Sequence, residues 1–438
     1  MTQTQHHLLK LLGPLAALAV TLVVLMALQR DAGGTPSPRL DRPGTPELDL
    51  PDNASLEQRI EATRAAIAND PGDASLRASL GELSYQRGRE TADSRWNERA
   101  RVAFDAALAL DPRNARATLG LGTLALAKHD FAGGLRHGRR ALALEPDSTQ
   151  PYAAIVDGLI ELGRYGQAAR ALQRFVDLKP NLASYSRISY YRELHGDLDG
   201  AIAAMRLAVS AGGAAENAAY VQTLLGNLEF QRGRLGAAEQ AYRAARERVP
   251  GYPPAEAGLA SVAAAGGDLD AAIRRYRAVV AVSPVHEHNV ALLEAELAVG
   301  RIAAARHEIA VIREQQARER ALGVNTDAEL AIFEADHGDA ARAVRLGRGA
   351  VRAAPGVSSA DAYGWALTKA GRPHAALKWG RRALRLGSRD ALFLYHAGIA
   401  AKDAGRRGLA RGWLERALEL NPRFSPLHAR RARSALRD

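Results

Sequence analysis

The chain has 438 residues, a formal net charge of +11 and no cysteine. That length exceeds one compact domain and suits two or three domains or a repeat array. The missing thiols exclude disulfides, thiolate metal sites, a cysteine nucleophile and haem attachment through cysteine, and the sparse aromatic content beside abundant alanine and arginine favours helix over sheet. The charge excess is local: residues 372–438 hold sixteen Lys/Arg and five Asp/Glu, and the remainder balances.

The first element, in residues 1–30, is LLGPLAALAVTLVVLMAL, Leu11 to Leu28, an uncharged run. At ~1.5 Å per residue it reaches ~27 Å as a helix, enough for a bilayer core. The expected role is an uncleaved signal anchor or transmembrane segment. A cleaved signal peptide, with Ala32-Gly33-Gly34 as a weak processing site, and a buried soluble helix are the alternatives. Lys10 lies before the run and Arg30, Arg39 and Arg42 after it, which favours a cytoplasmic repeat region. The layout of short basic start, apolar run and polar stretch favours the opposite. The reading adopted is a membrane-anchored protein with its repeats outside the cytoplasm; a cytoplasmic-facing or secreted form is the alternative. Residues 31–52 form a Pro/Gly-rich linker unable to hold a helix or a core.

SLEQRIEATRAAIANDP, within residues 53–71, predicts an N-terminal capping helix, with Ser55 and Gln58 forming a capping box. One phrase then recurs. It reads GRYGQAARALQRFVDLKP at 163–180, GRLGAAEQAYRAARERVP at 233–250 and GDLDAAIRRYRAVVAVSP at 267–284. Further copies start at 129, 196, 300, 338, 371 and 405, and a tenth, interrupted around 89–96, ends at 112. Each predicts a helix of about fourteen residues, opening on a turn and often closing at proline. Ala168, Leu172 and Phe175, Ala238, Tyr242 and Ala245, and Ala272, Tyr276 and Val279 share one helical face. A second helix precedes each phrase, as in ATLGLGTLALAK at 117–128, YVQTLLGNLEFQRG at 220–233 and SADAYGWALTKAG at 359–371. Its recurring glycine marks a close helix crossing. The polar segment 425–438 predicts a basic C-terminal capping helix.

A helix–turn–helix unit of about 34 residues with L-G-x-x-Y, A-x-x-x-F and a closing proline resembles the tetratricopeptide repeat. The resemblance covers residues 74–424, and the whole chain is similar to membrane-anchored bacterial members. It implies an all-α, right-handed superhelical solenoid of about ten units with terminal caps, behind an N-terminal anchor. It also implies a concave groove that holds a partner protein or peptide, without enzymatic activity. In the family register, Tyr85, Tyr190, Tyr220, Asn227, Phe230, Trp365 and Tyr395 are expected to face that groove. Thr223 stands where a carboxylate-gripping lysine would be wanted, which disfavours capture of a C-terminal tail.

An alternative interaction surface is basic. Lys378, Arg381, Arg382 and Arg385 fall on one helical face clear of the packing positions Ala376, Gly380 and Ala383. Arg406, Arg407, Arg411 and Arg416 follow, then Arg430, Arg431, Arg433 and Arg437. Such a surface attracts anionic lipid or an acidic protein, with nucleic acid less favoured for an exported domain. A further alternative is an accessory subunit of an envelope enzyme or of a transport or assembly complex. No phosphate-binding, zinc-protease or nucleophile-elbow motif is present. His286 and His288 point apart on a helix, so neither a metal nor a cofactor is expected.

Overall fold

The computed structural model describes residues 54–437 other than 92, 94 and 388. Among them lie 22 α-helices and no strand. They follow as α1 (Leu56–Asn69), α2 (Ala74–Thr91), α3 (Arg95–Leu110), α4 (Ala115–Ala127), α5 (Phe131–Leu144), α6 (Pro151–Glu161), α7 (Tyr165–Leu178) and α8 (Leu182–Leu194). Next come α9 (Leu198–Ser210), α10 (Ala215–Gln231), α11 (Leu235–Arg248), α12 (Pro253–Gly266), α13 (Leu269–Val282), α14 (His286–Ala298) and α15 (Ile302–Ala321). The chain closes with α16 (Asp327–His337), α17 (Ala340–Ala353), α18 (Val357–Lys369), α19 (Pro373–Ala383), α20 (Ala391–Asp403), α21 (Arg407–Leu420) and α22 (His428–Arg437). The apolar run Leu11–Leu28 and the linker lie outside the described residues. Among the described residues no helix is long and apolar enough to cross a membrane.

Helices α2 to α21 form ten antiparallel pairs, each an inner helix followed by an outer one, and consecutive pairs stack. The outer helices α3, α5, … α21 are those of the recurring phrase. α1 behaves as an outer helix without its partner. Its start is fixed as its sequence requires: Ser55 Oγ accepts from Gln58 N–H while Gln58 Oε1 accepts from Ser55 N–H.

The packing rule of the pairs can be read at two aromatic residues. The Phe104 ring of α3 fills the space above Gly81 of α2 and Gly120 of α4, where a Cβ would stand only 2.5 and 2.2 Å from it. Tyr242 of α11 does the same between Gly226 of α10 and Gly258 of α12. An outer-helix aromatic thus locks its own inner helix to the next one, and glycine supplies the room. The phenol adds a polar tie: Tyr242 donates to Asn227 Oδ1 at 2.8 Å, and Tyr276 pairs with Ser261 Oγ at 2.8 Å in the following repeat. Ala168, Leu172, Phe175, Ala238, Ala245, Ala272 and Val279 are all buried, as their shared face predicts.

The stack winds tightly enough for inner helices six repeats apart to touch. Asn325 N–H, just before α16, donates to the Lys128 carbonyl at the end of α4. Val357 N–H, opening α18, donates to the Tyr165 hydroxyl at 3.0 Å, beside the end of α6. Asn421 Nδ2, before α22, donates to the Phe230 carbonyl of α10 at 2.7 Å. Arg423 and Arg430 donate to the carbonyls of Ala265 and Ala298. These contacts form a seam between one superhelical turn and the next.

Candidate functional site

The inner helices carry the residues expected to bind a partner, so the site is built from that face. Packing between neighbouring helices brings its side chains against one another. Tyr85, Tyr190, Trp365 and Tyr395 are at most 7% exposed. They do not stand free as contact anchors, which corrects the sequence reading. Tyr190 donates its hydroxyl to Glu161 Oε1 at 2.8 Å. Trp365 and Tyr395 pack with ring centroids 5.6 Å apart. Tyr85 lies over the first repeat pairs with its hydroxyl buried and without a hydrogen-bond partner. Asn227 is half-buried, but its carbonyl oxygen is engaged by Tyr242 within the repeat. Thr223 is buried and bonded to its own helix at Ala219.

Tyr220 and Phe230 remain half-buried. Tyr220 belongs to a row that sequence reasoning did not assemble. Tyr152 of α6, Tyr185 of α8, Tyr220 of α10 and Tyr252 just ahead of α12 are all partly accessible. They sit at or near the entry ends of four successive inner helices. Exposed Arg89 of α2 acts electrostatically on both Tyr220 and Tyr252. Beneath them Arg187 clamps Asp157 with bonds of 3.0, 3.0 and 2.6 Å, and both residues are 3% exposed. Burial drives the Tyr220 hydroxyl well above the usual tyrosine range, so it is a neutral donor and acceptor at any physiological pH.

The basic residues lie on the last two outer helices and on the terminal helix α22. Lys378, Arg381, Arg382 and Arg385 of α19 and its 3₁₀ extension are exposed, while Ala376, Gly380 and Ala383 are buried. Arg382 covers the Trp379 ring at 5.1 Å. Arg385 is not free for a partner in the way its neighbours are, because its guanidinium lies 5.5 Å from the Tyr165 ring across the seam. Arg406, Arg407, Arg411 and Arg416 are exposed as well, with Arg411 3.8 Å from Glu415. Arg430, Arg431, Arg433 and Arg437 project from α22, yet Arg430 and Arg433 are spent on backbone carbonyls.

The inner face also holds polar groups with no equivalent in the repeat pattern. Asp336, Asp361, His396 and His428, from α16, α18, α20 and α22, meet in one buried cluster beside Trp365 and Lys369. No spacing in the sequence announces this cluster, since the four come from four separate inner helices. His286 and His288, the only His-x-His, do not join it: His288 Nδ1 lies 2.9 Å from the Ser283 carbonyl. His129, His195 and His337 have turn and packing contacts. His129 and His195 each hold a backbone carbonyl at 2.8 Å, and His337 lies against Phe333.

Residues 92–149, 154–218 and 213–253 match the tetratricopeptide repeat family model, and these segments are tetratricopeptide repeats. Among solved structures, the chain is similar to TTC0263, a thermophilic tetratricopeptide protein of Thermus thermophilus. The two share 21% identity over 43% of this chain and 98% of that one, with a TM-score of 0.39. It is also similar to the human IFIT1 dimer solved with PPP-AAAA, at 15% identity over 83% of this chain and 87% of that one, TM-score 0.44. A third is YrrB, a tetratricopeptide protein described with an unusual peptide-binding site, at 19% identity over 52% and 96%, TM-score 0.25. No curated protein matches the sequence.

Proposed function

From an array of tetratricopeptide repeats, we propose a non-enzymatic scaffold that holds a segment of another protein along the accessible edge of its inner face. The observation that carries this reading is the row of half-buried tyrosines, Tyr152, Tyr185, Tyr220 and Tyr252, one from each of four successive repeats. A tyrosine contributes a large apolar area and a hydroxyl at the cost of two torsions, and it is held here by a rigid helix stack. Arg89 adds a cation at the same edge. The partner suited to it is an extended or helical segment with apolar side chains and an acidic group.

The scaffold is proposed to be tethered through Leu11–Leu28 with its repeats outside the cytoplasm, on the strength of the uncharged run and the spacer after it. A reporter active only outside the cytoplasm, fused after Asp438, tests the topology. Its silence alongside a working cytoplasmic reporter reverses the orientation.

A photo-crosslinking residue placed at Tyr220 in cells tests the binding edge. One discrete adduct that persists at raised salt and disappears in Tyr185→Ala/Tyr252→Ala supports the proposal. An adduct unaffected by those changes but lost in Arg381→Glu/Arg407→Glu/Arg411→Glu, and weakened steeply by salt, transfers function to the basic outer surface.

A further inference from the structure

Asp336 ends α16, His396 lies within α20 and His428 opens α22. They belong to the eighth repeat, the tenth repeat and the terminal helix. One donor atom from each nonetheless lies within 4.8 Å of the other two. The two imidazoles are 2 and 3% exposed and the Asp336 side chain 3%.

The surroundings orient these groups. Asp361 Oδ2 stands 2.8 Å from His396 Nδ1. That contact places the proton on Nδ1 and leaves the lone pair on Nε2, which is buried and has no hydrogen-bond partner. His428 Nε2 lies 3.6 Å from Asp336 Oδ2 and 3.9 Å from Glu294 Oε1. Trp365 Nε1–H donates to Asp336 Oδ2 at 3.0 Å, and Lys369 approaches Oδ1 at 3.4 Å. The Trp365 indole stacks on His396 at 4.2 Å and meets His428 edge-on at 6.2 Å, fixing both ring planes.

We infer that Asp336, His396 and His428 form a binding site for a divalent first-row transition ion, with zinc the best match. Two imidazole nitrogens and one carboxylate oxygen are a donor set for such ions, and the absence of sulfur disfavours the softer ones. A tetrahedral ion bonded at ~2.0–2.1 Å separates its donors by roughly 3.4 Å. The His428–Asp336 edge already has that spacing, so His396 Nε2 has only to close in. Glu294 Oε1 lies beside this set, 3.9 Å from His428 Nε2. Asp361 behind His396 is the outer carboxylate that zinc-bound imidazoles regularly employ. Asp336, Asp361 and Glu294 bring carboxyl groups to the site, and Lys369 stands 3.4 Å from Asp336 Oδ1. The bound ion would clasp the terminal helix to two repeats and hold the inner face closed at the C-terminal end.

The test uses the untagged full chain carrying His6→Ala/His7→Ala, so that the two neighbouring N-terminal histidines do not contribute. After loading with zinc and exhaustive dialysis, elemental analysis should find one ion per chain. His396→Ala and His428→Ala should each abolish it, Asp361→Asn should weaken affinity ~10–100-fold, and His374→Ala, at an exposed position, should leave it unchanged. X-ray absorption on zinc-loaded protein with both residues intact should show two imidazoles in the first shell. This measurement does not depend on whether the variants fold. Protein that keeps no ion through dialysis, a zinc shell without imidazole, or retention lost in His286→Ala/His288→Ala but not in His396→Ala would each overturn the assignment.

Discussion

Asn421 donates through Nδ2 to the main-chain carbonyl of Phe230, 191 residues earlier, at 2.7 Å. Asn421 is 1% exposed. Its side chain adds a second donor to that carbonyl, beside Gly233 N–H, at the place where two turns of the superhelix meet. The same residue directs its Oδ1 to Arg423 N–H at 2.9 Å, shaping the entry to α22.

Replacing Asn421 with alanine removes the bond across the seam and leaves that carbonyl with Gly233 N–H alone. The expected loss is about 0.5–1.5 kcal/mol. The distinctive sign is where it appears. Hydrogen exchange should rise together around residues 228–236 and around 421–437, although the two segments are remote in sequence. Faster exchange confined to the C-terminal helix would mean that the seam contributes no stability.

His129 is, among the described residues, the one non-glycine with positive φ, at 57°. Equivalent turns place glycine there, as at Gly163, Gly233 and Gly371. The imidazole Nδ1–H reaches the Asn325 carbonyl at 2.8 Å across the seam. His129→Ala keeps the backbone strain and loses the bond, and should cost about 1–2 kcal/mol. His129→Gly loses the bond but relieves the strain, so it should be the more stable of the two in chemical denaturation. The reverse order would show that the left-handed turn is not strained.

The glycines divide by what surrounds them. A methyl group at Gly120 collides with the Phe104 ring, and Gly120→Ala should destabilise by about 1–3 kcal/mol as the inner helices part. At Gly412, in the middle of α21, nothing stands within 4 Å of the place a methyl carbon would occupy. There Gly412→Ala should stabilise by roughly 0.5–1 kcal/mol through helix propensity alone. Melting temperatures of the two variants should move in opposite directions.

Glu161 and Glu193 are protonated more readily in the folded chain than in the unfolded one. Burial, first of all, pushes Glu161 up to about 7, with Tyr190's hydrogen bond opposing and Asp157 reinforcing the rise. Burial and then the charge of Asp390 push Glu193 up to about 8. The folded state therefore holds protons that the unfolded state has released. Their contribution to stability is fullest below the unfolded glutamate pKa and is lost as pH climbs through about 7 and about 8. Each group contributes a slope of at most about 1.4 kcal/mol per pH unit. Denaturation of Glu193→Gln at a series of pH values should show a shallower decline than wild type and greater stability at pH 8. Parallel curves would mean that Glu193 is well solvated.

The repeat architecture was legible because its signals are local. The spacing of Ala168, Leu172 and Phe175, the Ser55–Gln58 cap and the glycine before each outer helix report the helices and their pairing at short range. Each feature satisfies its own neighbourhood, so ten copies written in sequence become ten stacked pairs. The exposure of Lys378, Arg381 and Arg382 also follows from one helix's periodicity.

Trp365 and Tyr395 are buried by the helices next to them, up to the terminal helix, whereas the fate of Tyr190 depended on how tightly the stack winds. That angle accumulates from small crossings at Phe104, Tyr242 and their counterparts, and no single repeat encodes it. Once inner helices six repeats apart touch, a residue such as Tyr190, which a looser array would present to a partner, becomes core, and tyrosines at the helix entries are left at the accessible edge. Stacking of the last repeats and the terminal helix draws Asp336, His396 and His428 together from three separate helices. Sequence alone determined the helices, their order and their buried faces, because those follow from contacts within a repeat and with the next one. Only the tertiary structure decided which inner residues remain open and which polar groups meet, because those contacts bridge distances along the chain that no local pattern records.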